Sequence, residues 1–411
     1  MPANRSTPSV LVSALITLAV FSALTWMNAQ FTRQNPGGND FLPRWIGARF
    51  YLTRGWSPYS DQTTQAIQEG IYGRPARPDE DQSLFVYPLY SLLVFAPYAL
   101  VGDYDTARAL WMTTLEFSLV LIVALSLQAT GWRLRGLSLA GFLLFAALWY
   151  HGIRPVVNGN PTVLCAVFIT AALRFIREGR EAAGGACLAL AGIKPQIVAL
   201  LIPYALIWSA STRRWRLFWG IIAGLAVFVV GAMMLIPDWL AQNLRQVTAY
   251  PGYTVPGTPR AIFELWWPGI GDAMGWTLTF GLAAVLAMEW WRSRLGDFYA
   301  FAWAASLTLA LTQWIGIQTD PTNYIVLFFP MVLTFAAWEG RWKRAGRVAA
   351  FVSVAVLFFG LWALFLATVE YGAQPQQHPI MFFPLPLFVL LGLYLGRTWA
   401  MNPSRDTTQA A

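Results

Sequence analysis

Apolar segments recur along almost the whole chain, at residues 9–30, 84–101, 107–127, 137–150, 161–175, 184–193, 196–209, 217–236, 276–291, 298–317, 324–338, 349–367 and 380–395. A bilayer offers no water to backbone N–H and C=O groups, so such segments must close their hydrogen bonds internally as helices. Crossing the hydrocarbon core takes about 20 residues at about 1.5 Å each. With 57% hydrophobic and 12% charged residues, the composition is that of an all-α polytopic membrane protein and excludes a soluble domain. The first run is longer than the apolar core of a cleavable signal and many runs follow it, so it is expected to be a retained helix. Residues 1–411 read as one integral-membrane domain, without internal repeats or low-complexity tracts.

Charge sets the expected topology. Of 28 basic residues only Lys194 and Lys343 are lysine, and the clusters Arg133/Arg135, Arg174/Arg177/Arg180, Arg213/Arg214/Arg216, Arg292/Arg294, Arg341/Lys343/Arg344/Arg347 and Arg397 are expected to face the cytoplasm. The formal charge of +8 serves that orientation and gives no reason to invoke nucleic acid. Strict alternation of spans violates the rule in the first half. If residues 84–101, interrupted by Pro88 and Pro97, form a re-entrant hairpin, every cluster falls inside. This gives about twelve crossings. The external elements are then 31–83, 150–160, Lys194, 237–275, 318–323 and 370–379, in a multi-pass plasma-membrane protein. In the first external loop, residues 43–55 interleave Arg44, Arg49 and Arg54 with aromatic residues, as a helix lying in the interface would. A break at 55–59, a second short helix at 61–71 and a flexible stretch at 74–82 complete a loop that must pack on the bundle. Cys165 and Cys187 lie in apolar runs and suggest neither a disulfide nor a metal site.

Several polar residues then need an explanation. Asp40, in Gly37-Gly38-Asn39-Asp40-Phe41, stands where the first helix leaves the membrane. Lys194 lies between Ile193 and Pro195, in a gap between two apolar half-helices, where an ionisable group points to function more than to snorkelling and suits a phosphate at headgroup depth. Asn158-Gly159-Asn160-Pro161 forms a turn preceded by His151 and Arg154, and turn chemistry and substrate contact both stay open for it. Asp320-Pro321-Thr322-Asn323 is a helix start with capping as the default and substrate contact for Asp320 and Asn323 as the alternative. Asp103-Tyr104-Asp105 looks like a metal and nucleotide-sugar signature, yet it opens a helix and reads as a cap; no metal is implied. Glu116, inside a span, is expected to turn inward to a partner. His378 carries no motif. Neither the paired acids of a glycosidase nor the ligand cluster of a metal hydrolase is visible. One carboxylate suffices when the leaving group is a phosphate that needs no proton, which suits Asp40 with Lys194 and nearby arginines.

Three local features, in order over the first 210 residues, carry a resemblance. They are Asp40 with Phe50-Tyr51 and Gly55-Trp56-Ser57-Pro58-Tyr59; Phe85-Val86-Tyr87-Pro88-Leu89 with Pro97; and Ile193-Lys194-Pro195 after the Asn-Gly-Asn turn. Together they resemble the integral-membrane glycosyltransferases of the C superfamily, and within it glycosyltransferase family 87, the polyprenol-phosphate-mannose-dependent alpha-mannosyltransferases. The resemblance implies a C-type helical bundle whose external first loop carries interfacial helices. It implies Asp40 as the base of an inverting transfer, with Tyr87 and Lys194 lining the donor site. Two departures stand out: Asn158-Gly159-Asn160 replaces a Gly-Gln turn, and residues 320–324 hold no His where family members often have one.

The expected activity is hexosyl transfer, with mannose as the sugar, from a polyprenyl-phosphate donor to a lipid or glycan acceptor on the extracytoplasmic side. No cofactor is called for beyond the lipid-linked donor. Arg44 or Arg154 would assist Lys194 at the phosphate, and Trp45, Tyr59 and Tyr87 would stack on sugar or order the loop. A transporter or lipid flippase is the rival class, but it favours paired broken helices and midplane polar groups. Only one Lys-Pro break is present. A non-catalytic assembly subunit is the third reading.

Overall fold

A computed structural model of the chain describes residues 10–254, 257–371 and 375–401. Val255, Pro256 and residues 372–374, parts of two expected external segments, lie outside the described residues. Helix α1 (Val10–Gln34) is followed by α2 (Leu42–Arg54) and α3 (Asp61–Tyr72) in the first loop. A 3-10 turn at Leu89–Ser91 leads into α4 (Leu92–Ala99), then α5 (Tyr104–Thr130), α6 (Leu137–Leu148), α7 (Tyr150–Asn158) and α8 (Thr162–Arg177). A hairpin of α9 (Glu181–Ala191), α10 (Pro195–Val198) and α11 (Leu201–Ser211) precedes α12 (Trp215–Leu235). The second large loop holds α13 (Trp239–Ala249), a 3-10 turn at Tyr250–Gly252 and α14 (Pro259–Trp266). The chain continues through α15 (Gly271–Ser293), α16 (Phe298–Thr312), a 3-10 stretch at Pro321–Leu327, α17 (Phe328–Trp342), α18 (Arg344–Thr368), α19 (Pro384–Leu395) and α20 (Arg397–Met401). The described strands are a two-residue pair, Glu370–Tyr371 against Pro375–Gln376.

Among the described residues six helical spans are long and apolar enough to cross a bilayer, and the α6–α7 pair, bent by 46°, makes a seventh if it is one span. The protein is a multi-pass membrane protein. The remaining apolar helices include α9, α11 and α16, each too short to cross alone. Enclosure explains α16: every residue from Ala300 to Thr312 is buried, so its apolar surface meets protein instead of lipid. By contrast α1 exposes Leu11, Leu15, Ile16 and Leu18. Sequence alone cannot separate these two uses of an apolar run.

Side-chain contacts sort the helix ends into two faces. Arg177 donates to Gln128 O and Ala129 O at 2.8 and 2.9 Å, Trp132 Nε1 to Glu339 at 2.7 Å, and Arg214 pairs with Glu181 at 2.7 Å. Arg347–Glu339 and Arg397–Glu289 pairs join the same end. The basic clusters therefore gather at one end of the bundle. The opposite end collects the C-terminus of α1, the N-termini of α5 and α8, the tip of the α9–α11 hairpin and the start of the Pro321–Leu327 turn.

Local chemistry shapes the first loop. Pro43 sits in the first turn of α2, where a missing N–H is harmless, and Gly55 ends the helix at φ +70° with its N–H on Tyr51 O. Ser60 caps α3 through Thr63 N. The 74–82 stretch, flexible on the sequence reading, is tied down by a two-point Arg74–Glu80 pair and by Gln68 Nε2 to Gln82 O. Residues 150–158, read as a connection, form helix α7 because Tyr150, His151, Gly152, Pro155 and Val156 bury one side of it. The second large loop folds onto the first: Gln242 accepts from Ser57 Oγ at 2.7 Å, Asn243 Nδ2 donates to Tyr87 O at 3.0 Å and Gln246 Nε2 to Tyr59 O at 3.1 Å.

Candidate active site

The hairpin tip supplies the centre of the site. Helix α9 ends before Gly192, and Pro195 restarts the chain as a helix because its fixed φ suits a first turn, which strands Lys194 in the break. Its side chain is 3% exposed. Nζ donates to Asn160 Oδ1 at 2.9 Å, Thr162 Oγ1 at 2.9 Å and Asn323 Oδ1 at 2.6 Å. An ammonium has three hydrogens, and three acceptors use them all.

Those contacts determine how Asn160 faces. Its Oδ1 accepts from Lys194 and, at 3.0 Å, from the amide of Thr162, the first residue of α8, so the amide nitrogen must point the other way. Nδ2 then donates to Asp40 Oδ2 and to Thr322 Oγ1, both at 3.1 Å. Lys194, Asn160 and Asp40 form one hydrogen-bonded chain, drawn from the hairpin tip, the α7–α8 turn and the first loop. Asn323 joins it by accepting from Thr162 Oγ1 at 2.8 Å and donating to Thr319 Oγ1 at 2.9 Å.

The peptide leading to Asp40 is clamped. Arg108, 1% exposed on α5, donates to Asn35 O at 2.7 Å and to Val157 O at 3.2 Å, while Tyr104 OH reaches Gly37 O at 2.9 Å. The Asp40 amide donates to Asn158 O at 3.0 Å. Gly38 has φ +77°, and a Cβ there would lie 2.7 Å from both Arg108 Nε and Tyr104 OH. Gly159, at φ +73°, lets Phe41 approach to where its own Cβ would be, 2.5 Å from Phe41 Cβ. Phe41 stacks on Trp111, whose Nε1 donates to Gly159 O at 2.8 Å.

Tyr87 links two cations: the Arg44 guanidinium lies 4.1 Å and the Lys194 ammonium 5.7 Å from its ring centroid. Its carbonyl accepts from Tyr59 OH at 2.7 Å, so Tyr59 is a strut with its hydroxyl already committed. Arg44 is 8% exposed and its Nε has no hydrogen-bond partner. Trp45 is likewise committed, through Nε1 to Tyr98 O at 3.1 Å.

The structure thus brings together Asp40, Arg44, Tyr59, Tyr87, Asn160, Lys194 and Asn323. Asn158 contributes its main-chain carbonyl. Asp320 accepts from Thr322 N at 2.7 Å and from the Thr322 hydroxyl, and so caps the Pro321–Leu327 turn beside the site. Arg154 is directed elsewhere, over the Phe365 ring at 5.8 Å. Asp103 caps α5 through Thr106 N at 2.9 Å, and Glu116 finds its partner in Asn28 Nδ2 at 3.0 Å. Residues 320–324 hold no His of their own, but His151 of α7 docks on them, with Nδ1 2.8 Å from Pro321 O and its ring 5.4 Å from that of Tyr324.

Sequence reasoning missed Thr162, Thr322, Arg108 and Asp81. Thr162 had a signal, as the residue two places after Asn160 in the Asn-Gly-Asn-Pro turn. Asp81 had none. The sequence reading leaves Asp40 as a lone carboxylate, whereas the fold places Asp81 beside Arg44 and Thr254. Burial pushes the Asp81 carboxyl above its ordinary value, offset by hydrogen bonds from Ser83, whose amide lies at 2.7 Å, and by Arg44. The Tyr250 hydroxyl lies in the field of both Asp81 and Asp40.

The profile of glycosyltransferase family 87 matches residues 85–316, more than half of the chain. That stretch contains Tyr87, Asn160, Thr162 and Lys194; Asp40 and Arg44 precede it in the first loop, and Thr322 and Asn323 lie just after it. No curated protein and no solved structure matches the chain. With a polar hydrogen-bonded site at one end of a membrane helix bundle and the family match running through it, the chain belongs to glycosyltransferase family 87 and is a membrane glycosyltransferase.

Proposed function

We propose that the protein moves a hexose, mannose in the first instance, from a polyprenyl-phosphate sugar to an acceptor hydroxyl on the extracytoplasmic face of the plasma membrane, with inversion. The observation that carries this reading is the chain from Lys194 through Asn160 to Asp40, which ties a carboxylate to an ammonium that shares the Tyr87 ring with Arg44. Asp40 takes the proton of the acceptor hydroxyl as its oxygen attacks the anomeric carbon. The bond from that carbon to the phosphate oxygen breaks on the opposite face, and the polyprenyl phosphate leaves with the electron pair. It needs no proton, only positive charge nearby. The Arg44 guanidinium, 4.1 Å from the Tyr87 ring centroid, is the direct phosphate ligand through its terminal nitrogens. Lys194, its hydrogens all committed, acts by holding Asn160 and by its charge across the Tyr87 ring.

The direct test is membranes containing the full chain, supplied with labelled polyprenyl-phosphate mannose. Chain-dependent label in a lipid or glycan product is expected; none from any polyprenyl-phosphate hexose would overturn the reading. The sidedness follows from the basic clusters lying at the end opposite Lys194. With Cys187 replaced by Ala, a cysteine at exposed Asp61 should react with a membrane-impermeant maleimide in intact cells, and one at exposed Arg216 only after permeabilisation. The reverse pattern would invert the topology.

The clamp on the first loop gives a further expectation. Gly38→Ala forces a left-handed residue and a close contact on the turn before Asp40, straining it by about 1–3 kcal/mol. Since displacements near 1 Å at a reacting group can lose roughly 100-fold, transfer should fall at least tenfold with expression retained. Unchanged transfer would show that this turn does not set the position of Asp40.

A further inference from the structure

Next to Asp40, the two large loops enclose a second polar cluster. Arg44 enters from α2, Asp81 from the end of the first loop, Tyr250 from the 3-10 turn after α13, Tyr253 from just past that turn, and Gln246 from the last turns of α13, four residues before Tyr250. The groups sense one another: Asp81 interacts with Arg44 and Thr254, and both tyrosine hydroxyls with Asp81 and Arg44. Tyr250 also senses Asp40, so the cluster borders the base. Tyr250 and Tyr253 meet edge to face at 5.5 Å.

What distinguishes the cluster from ordinary loop packing is unmet hydrogen-bonding capacity. Arg44 Nε and Gln246 Oε1 are buried without partners. The Tyr253 hydroxyl, buried beside the Leu84 amide, closes no hydrogen bond of normal geometry. Buried polar atoms are almost always satisfied, so these orphans call for a partner that a ligand or ordered water would supply. The Asp81 carboxylate, held by Ser83 N and Thr254, keeps acceptor capacity because a carboxylate offers about four lone-pair sites.

We propose that Arg44, Asp81, Gln246 and Tyr253 form the acceptor subsite, and that it takes a neutral sugar ring through adjacent hydroxyl groups. This rests on the transferase reading above. Donors and acceptors alternate here: Asp81 and Gln246 Oε1 accept O–H groups, while Arg44 and Tyr253 donate to the same oxygens. Adjacent hydroxyls on a ring each offer both functions and can satisfy the set together. A serine or threonine side chain brings one hydroxyl and leaves the rest orphaned. An anionic headgroup would meet the Asp81 carboxylate.

Binding separates this proposal from turnover. Full-length protein in lipid nanodiscs, free of sugar detergents, is titrated with tritiated octyl α-mannopyranoside, with its ring analogue lacking all hydroxyls, and with a short serine-bearing peptide. The glycoside should bind and the other two should not. Asp81→Asn should weaken glycoside binding about tenfold, the loss of one charge-assisted hydrogen bond. Tyr253→Phe, which removes a single oxygen and keeps the ring, should weaken it several-fold at unchanged Tm, and it answers the question if the Asp81 variant fails to fold. Glycoside binding unaffected in both variants overturns the subsite whatever the transfer assay shows. Preference for the peptide overturns the sugar assignment. Lost binding in both variants, with no transfer by the unmodified protein, leaves the subsite standing and removes the transferase reading.

Discussion

Replacing Asp40 by Asn is expected to lower transfer from labelled polyprenyl-phosphate mannose by at least about 100-fold, the lower end of what a positioned general base contributes. The substitution isolates the proton acceptor from the scaffold. Asp40 Oδ2 receives Asn160 Nδ2 at 3.1 Å and its amide donates to Asn158 O at 3.0 Å. An Asn at 40 retains a side-chain oxygen for the first contact and the whole of the second, so the loop should stay in place. What disappears is the basic oxygen. Donor KM should change little, because the phosphate is assigned to Arg44 and not to residue 40. Asp40→Glu keeps the base but moves it by one methylene, and should fall between the Asn variant and the unmodified enzyme. Near-normal transfer by a well-expressed Asn variant would remove Asp40 from the mechanism.

How much of this was visible beforehand depends on the sequence distance between partners. The Lys194-Pro195 break was legible because a lysine and a helix restart in an apolar run are local events. The α2 and α3 boundaries, Gly55 and Ser60, were legible for the same reason. Asp40, Asn160, Lys194 and Asn323 could each be singled out, but not the order in which they bond. That order joins residues 34 to 129 positions apart, and it recast Lys194 from an ammonium facing a phosphate into one with every hydrogen committed. The direction of Arg154 was equally hidden, because the α7 helix turns it towards the Phe365 ring of α18. Asp81 stayed hidden because its carboxylate gains its meaning from Tyr250 and Tyr253, on a loop that folds back over it. The number of full spans was obscured by helices such as α16, apolar through enclosure.

Lys194→Met should be the most damaging single change in the site, and the way it fails tells positioning from phosphate binding. Methionine matches the stem and removes the three donors, leaving Asn160 Oδ1, Thr162 Oγ1 and Asn323 Oδ1 to share the remaining hydrogens in a dry pocket. Leaving a buried neutral acceptor unsatisfied costs about 1–3 kcal/mol, so a clear fall in Tm is expected. With Lys194 gone, Asn160 Oδ1 is held by Thr162 N alone at the backbone, and the looser amide keeps Nδ2 on Asp40 less firmly. Transfer should then fall by about 100-fold or more through kcat, with donor KM nearly constant. Lys194→Arg should not rescue it, since a flat guanidinium fork does not fit three acceptors converging on one point. Asn160→Leu breaks the same chain one link further on, so the double variant should lose little more than the worse single variant. Additive losses, or a rise in donor KM at constant kcat, would place Lys194 on the phosphate and break the chain that positions Asp40.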